Sequence, residues 1–288
     1  MFSDSLHKLR LSRAVKRFAA GNDFLMQRAV EDMIERLSTV NLDFNDAVLL
    51  FGRTDTVASK LNDCGKIKQT KRVEESSHLG VADHVALPEL LDLPAESADL
   101  VMAPMALHWS NDLPGTLIQI RRSLRPNGLM LASLPGPDTL HELRQSLLQA
   151  ESDIRGGAGN RIDPFTDVRD AGSLLQRAGF SIPVVDQETL TVRYDSALDL
   201  IGDLRNFGAT QHPQDNTNPQ LNRDIIARTV EIYAERFTDP DGRVRATFSS
   251  VSMSGWVPHD SQQKPLRPGS AKTRLADALN VEEIKLKK

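Results

Sequence analysis

The chain has 288 residues, 40% hydrophobic and 26% charged, a balance that excludes collagenous, low-complexity and disordered classes. A net charge of -4 argues against a general nucleic-acid binder, and the longest apolar runs, at 47–51 and 129–132, are far too short for a transmembrane segment. One cysteine, Cys64, excludes an internal disulfide framework and a multi-cysteine metal site, so a soluble protein of a reducing compartment, the cytoplasm, is expected.

Residues 1–20 carry Lys8, Arg10, Arg13, Lys16 and Arg17 against a single acid, Asp4. Such a start has the composition of an organellar transit peptide, which would place the protein in the mitochondrial matrix. The plainer reading is a basic helix with Leu6, Leu9 and Phe18 turned inward. Met26, Val30, Met33, Leu37 and Val40 recur at steps of four and three and predict an amphipathic helix. A strand at 47–51, a helix at 56–61 and a half-exposed strand at 66–73 follow. Residues 98–103 read as a strand, and Leu113, Leu117, Ile120 and Leu124 mark a helix that Pro126 stops before Asn127-Gly128 turns the chain. A buried strand is expected at 129–134. Asp138 is placed to cap a helix running to 150, and Asp167 opens another that closes at Gly179.

A strand at 181–185, helices at 196–207 and 221–237 around a polar loop at 211–220, and a long strand at 246–256 complete the pattern. Alternating strands and helices predict an α/β fold, a parallel sheet with helices on both faces. The expected organisation is a helical extension over 1–40, a sheet domain over 41–261 with a helical insertion near 195–240, and a mobile tail from 262.

Few patterns of side chains carry chemistry. His141-Glu142 begins like a zinc-binding helix, but position 145 is Gln, so the second ligand one turn on is missing. No histidine pair has metal spacing, and no G-x-S-x-G elbow exists. Cys64 reads as an incidental thiol. No residue is assigned a catalytic role and no metal is expected. In open α/β sheets ligands bind beyond the carboxyl ends of the strands. There the sequence reads Leu49-Leu50-Phe51-Gly52-Arg53-Thr54-Asp55, with Gly52 its one glycine.

Ser97-Ala98-Asp99-Leu100-Val101, Leu107-His108-Trp109-Ser110-Asn111-Asp112-Leu113-Pro114 and Leu124-Arg125-Pro126-Asn127-Gly128 resemble the central motifs of class I S-adenosylmethionine-dependent methyltransferases. Asp138-Thr139-Leu140-His141-Glu142-Leu143-Arg144, Asp163-Pro164-Phe165 and Arg177-Ala178-Gly179-Phe180 are similar to the branch that holds mitochondrial complex I assembly factor 5 and its bacterial relatives. The biotin-pathway malonyl-carrier-protein methyltransferase belongs to the same branch. The resemblance implies a seven-stranded, Rossmann-like methyltransferase sheet, a late helical insertion and a site for S-adenosylmethionine.

By alignment the family's first-strand acid falls on Leu49, and its glycines fall on Phe51, Arg53 and Asp55. The acid that grips the ribose falls on Lys71, which donates hydrogen bonds and cannot accept them. The resemblance assigns cofactor-side positions to Gly52, Arg53, Lys71, Glu89, Leu107 and His108, with Asp92 a second acid able to face adenine. The substitutions predict weak or absent S-adenosylmethionine binding. Two readings result. One is an S-adenosylmethionine-dependent methyltransferase-family protein with a degenerate cofactor motif. The other is a non-catalytic or hydroxylase-type assembly factor for respiratory NADH dehydrogenase, with a respiratory-complex subunit as partner.

Overall fold

The computed structural model describes residues 3–17, 23–77, 82–163, 165–210, 220–263, 269–270 and 273–281. Two helices, α1 (Asp4–Arg17) and α2 (Phe24–Thr39), precede β1 (Phe44–Leu50), α3 (Asp55–Asn62), β2 (Ile67–Glu74) and the short β3 (His84–Val85). Next come β4 (Ala98–Ala103), a 3-10 turn (Leu107–Trp109), α4 (Leu113–Ser123), β5 (Leu124–Pro135), α5 (His141–Arg155) and α6 (Val168–Arg177). The order closes with β6 (Ser181–Tyr194), α7 (Ala197–Asn206), α8 (Arg223–Phe237) and β7 (Val244–Trp256). These elements lie in a unit spanning Met1–Pro258. The unit His259–Lys288 holds, among its described residues, one short helix, α9 (Leu275–Leu279), ended by Asn280 at φ 50. No helix among the described residues is long and apolar enough to cross a membrane.

Among the described residues seven strands form one sheet in the order β3-β2-β1-β4-β5-β7-β6. The first five are parallel, and β7 runs against both its neighbours, so the expected all-parallel sheet carries one reversed strand. The alternation of side chains across the sheet builds two cores. Val48, Leu50, Val101 and Met130 face Leu117 and Ile120 of α4 and Leu175 of α6. Leu49, Leu100, Met102 and Leu131 face Val30, Met33 and Leu37 of α2.

The chain starts with a helix, as its plainer reading required, but on a different face. His7, Leu11 and Ala14 are buried at i, i+4 and i+7, whereas Leu9 is 46% exposed. Phe18, the side chains of Lys16 and Arg17, residues 211–219 of the expected loop, and Pro265, Pro268 and the terminal lysines lie outside the described residues. Residues 181–194 form one strand, which continues well past the expected end at 185. The polar interruption Asp186-Gln187-Glu188 stays in the strand because α2 supplies counter-charges: Arg36 grips Asp186 at 2.7 and 2.8 Å, and Arg28 reaches Glu188 at 2.8 Å.

The first half of β7 projects beyond β5, whose pairing stops at Pro135↔Ser250. Its odd-numbered residues therefore need other partners for backbone groups that would be costly to bury unpaired. Thr139 Oγ1 accepts from Ser249 N (3.0 Å) and donates to Ser249 O (2.9 Å), while Leu140 N donates to Thr247 O (2.7 Å). The fully buried Glu142 accepts from Thr247 N (3.1 Å) and Thr247 Oγ1 (2.6 Å), and Tyr233 Oη donates to Arg245 O (2.8 Å). The segment 136–140 is thus committed to β7 and cannot be helical. Hence α5 starts at His141, after Leu140 at φ 56, and Asp138 accepts from Gln187 Nε2 (3.1 Å) rather than capping the helix. Asp167 does cap α6, accepting from Asp170 N at 2.8 Å. On this projecting ribbon α5, α7 and α8 pack through Leu143, Leu147, Leu200 and Tyr233 against Ala246 and Phe248. The insertion itself lies between the paired residues Tyr194 and Val244.

Candidate functional site

The carboxyl ends of β1 and β2 lie side by side, with Leu50 paired to Val73. Beyond β1 the chain passes through two left-handed residues, Phe51 (φ 55) and Arg53 (φ 60). Both stand where the alignment has glycine, so the glycine backbone is retained without the glycines, at a cost on the order of 1–3 kcal/mol each. Phe51 compensates by complete burial in the apolar core. Gly52 serves packing: a Cβ there would lie 2.6 Å from Leu49 Cδ2.

The strand β2 ends on acids. Glu74 and Glu75 are both buried, and they are the residues at the strand end where alignment by spacing gives Lys71. Lys71 lies three residues earlier, opposite Val48, with its side chain exposed, away from the strand end. Both oxygens of Glu74 accept from Arg53 N at 3.1 Å, and Arg72 Nη2 donates to Oε1 at 3.1 Å. Arg72 also pairs with Asp55, one of the lost glycine positions. Glu75 Oε2 meets Arg53 Nη2 at 3.3 Å, and Glu75 Oε1 meets His7 Nε2 of α1 at 2.7 Å. Arg53 Nη1 completes the group by donating to Phe207 O, at the end of α7, at 3.1 Å. His108 and Trp109 border it, their rings 4.6 Å apart and Trp109 5.7 Å from His7.

The two neighbouring carboxyls titrate in opposite senses. Burial pushes Glu74 up to about 7, the Arg53 amide and Arg72 opposing it only in part. Burial also pushes Glu75 up, but the Arg53 guanidinium with His7 and His108 outweighs it and leaves the carboxyl below its usual value. The raised Glu74 has a stability consequence with a definite sign. The folded protein holds this proton more tightly than the unfolded chain, whose carboxyl titrates at 4.5. The stabilisation is complete below that value and is lost as pH rises through about 7. Urea midpoints are expected to fall between pH 5 and 8 by an amount worth on the order of 3 kcal/mol in the wild type, and by clearly less in Glu74→Gln. Parallel profiles for the two proteins would show that Glu74 does not titrate there.

Of the residues assigned from the resemblance, the structure brings Arg53 and His108 to this cluster. Leu107 is a core residue, fully buried with Ala103 and Leu117. Glu89 accepts from Asn111 N at 2.5 Å and its own carbonyl accepts from Gln119 (2.9 Å), so it ties its loop to α4. Asp92 is exposed at φ 48. Glu74, Glu75, His7 and Phe207 were missed. The signal for the acids was present, an apolar Val73 followed at once by Glu74-Glu75, where a strand meets its loop. Among the described residues no cluster of His, Cys, Asp or Glu has the arrangement of a metal site.

Residues 37–132 match a methyltransferase domain, from the last turn of α2 through most of β5. The mitochondrial arginine-hydroxylase NDUFAF5 of Rattus norvegicus is 34% identical over 281 residues, covering 93% of this chain and 82% of that protein. The chain belongs to the class I methyltransferase family. Within it the same branch includes a malonyl-[acyl-carrier protein] O-methyltransferase of Methylovorus sp. (strain MP688), 32% identical over 279 residues, with 88% of this chain and 90% of that one covered. The fold agrees with the YcgJ protein of Bacillus subtilis, which superposes with a TM-score of 0.53 at 12% identity over 81% of this chain and 99% of that chain. The seven-stranded α/β architecture implied by the resemblance is therefore the one this chain adopts.

Proposed function

We propose that this methyltransferase-family protein acts as an assembly factor of the NDUFAF5 type for a respiratory NADH dehydrogenase, by binding a subunit and without methyl transfer from S-adenosylmethionine. The observation that carries this reading is the Arg53 cluster. The family cofactor needs bare backbone after β1 and a free accepting carboxylate after β2. Here the guanidinium of Arg53 rises from a glycine position, and both Glu74 oxygens are engaged by Arg53 N and Arg72. Phe51 fills a second glycine position with a buried ring. These substitutions speak against a fit to the cofactor. Similarity to NDUFAF5 over most of both chains supports the respiratory assignment, and the expected location is the bacterial cytoplasm or, by analogy with the mitochondrial relatives, the matrix.

Calorimetric titration of the purified protein with S-adenosylmethionine is expected to give no saturable heat. A dissociation constant in the low micromolar range would overturn the reading and return the chain to methyl transfer, the activity named for its malonyl-[acyl-carrier protein] relative. Deleting the gene is expected to reduce assembled NADH dehydrogenase, and the wild-type chain is expected to restore it. Full assembly in the deletion strain would remove the respiratory assignment.

A further inference from the structure

We propose that Arg53 is a built-in replacement for a cofactor, a tethered cation that holds α1 and α7 closed over the carboxyl ends of β1 and β2 with no small molecule bound. This rests on the reading that the site takes no S-adenosylmethionine. The end of α7 and the end of β2 meet this one side chain directly, and α1 reaches it through Glu75. Its Nη1 donates to the Phe207 carbonyl at the end of α7, where unsatisfied carbonyls gather partial negative charge. Its Nη2 meets Glu75, and the other oxygen of that carboxylate holds His7 of α1 at 2.7 Å. The left-handed backbone that aims the side chain is fixed from beneath by the bond from Arg53 N to Glu74.

The apolar contact between α1 and α7 closes on the same spot, where Leu11 and Ala14 lie against Gly208: a Cβ on that glycine would stand 3.4 Å from the Ala14 Cβ. The Arg53 and Glu75 side chains are 12% and 1% exposed, so the pair is nearly dry. Apolar residues of similar size would serve stability as well or better in such a place. What an ion pair adds is direction, and this one points two helices at the strand ends.

Hydrogen exchange on the full chain tests the proposal. In Arg53→Gly the amides of α1 and of the last turn of α7 are expected to exchange about tenfold faster, while β4 and β5 keep their wild-type protection. Added n-propylguanidinium, which has the three carbons and the guanidinium that glycine lacks, is expected to restore α1 protection. Glu75→Gln keeps shape without charge and is expected to loosen α1 alone, which decides the matter if Arg53→Gly does not fold. Protection of α1 within about twofold of wild type in either folded variant would overturn the proposal, as would an equal loss across the sheet. Protection of α1 in the wild type by S-adenosylmethionine would overturn both this and the proposed function. Unchanged α1 protection in the variants with no effect of S-adenosylmethionine would overturn this inference alone.

Discussion

Glu75→Ala is expected to cost about 3–5 kcal/mol of stability, because it leaves the Arg53 guanidinium and His7 without their shared carboxylate inside the protein. Against a total of about 5–15 kcal/mol for a domain, that is enough to unfold part of the population at 37 °C. The cost comes from the charge left behind, so removing that charge as well is expected to recover most of it. In Glu75→Leu/Arg53→Gly neither ion of this pair remains to be desolvated, and glycine accepts φ 60 without strain. Urea unfolding of the single and double variants measures this. A double variant no more stable than Glu75→Ala would show that the pair does not act through its charge.

Glu142→Ala is expected to be nearly as severe, about 3–5 kcal/mol, for a different reason. It removes two hydrogen bonds to a buried carboxylate and leaves the Thr247 amide with no acceptor on a stretch of β7 that β5 does not reach. Glu142→Gln retains one accepting oxygen and is expected to lose roughly half as much. Denaturant midpoints check the magnitude, and exchange of the Thr247 amide checks the cause. A loss below about 1 kcal/mol for the alanine variant would mean that water replaces the carboxylate at no cost.

The diagnostic motif Asp138–Arg144 illustrates what could be read beforehand and what could not. Its similarity to the family was legible, yet its job was not, since that job is to satisfy backbone groups about 110 positions away: Thr139 on Ser249, Glu142 on Thr247. Spacing rules see helix caps close by in sequence and are blind to such bonds, so Asp138 looked like a cap. The inward face of α2 was clearer. Met26, Val30, Met33 and Leu37 are all buried, because helical periodicity is a local property. In the site, the lost glycines were visible as Phe51, Arg53 and Asp55, and only folding shows that the first two keep the left-handed backbone. Counting from β1 placed the acid at Lys71, within β2, and counting cannot replace the strand end that Val73-Glu74 marks. His7 and Phe207 were out of reach, since only folding brings positions 7, 53, 75 and 207 to one point.

The pairing of Tyr194 with Val244 has an evolutionary consequence. The two ends of the α7–α8 segment sit one strand spacing apart, about 5 Å, a gap that a two-residue turn can also bridge. Lengthening, shortening or exchanging what lies between them leaves the hydrogen-bond register of the sheet untouched, and the entropy of closing a longer excursion grows only slowly. The hairpin tip is therefore a cassette port. What it carries can change without disturbing the sheet or the strand ends beneath.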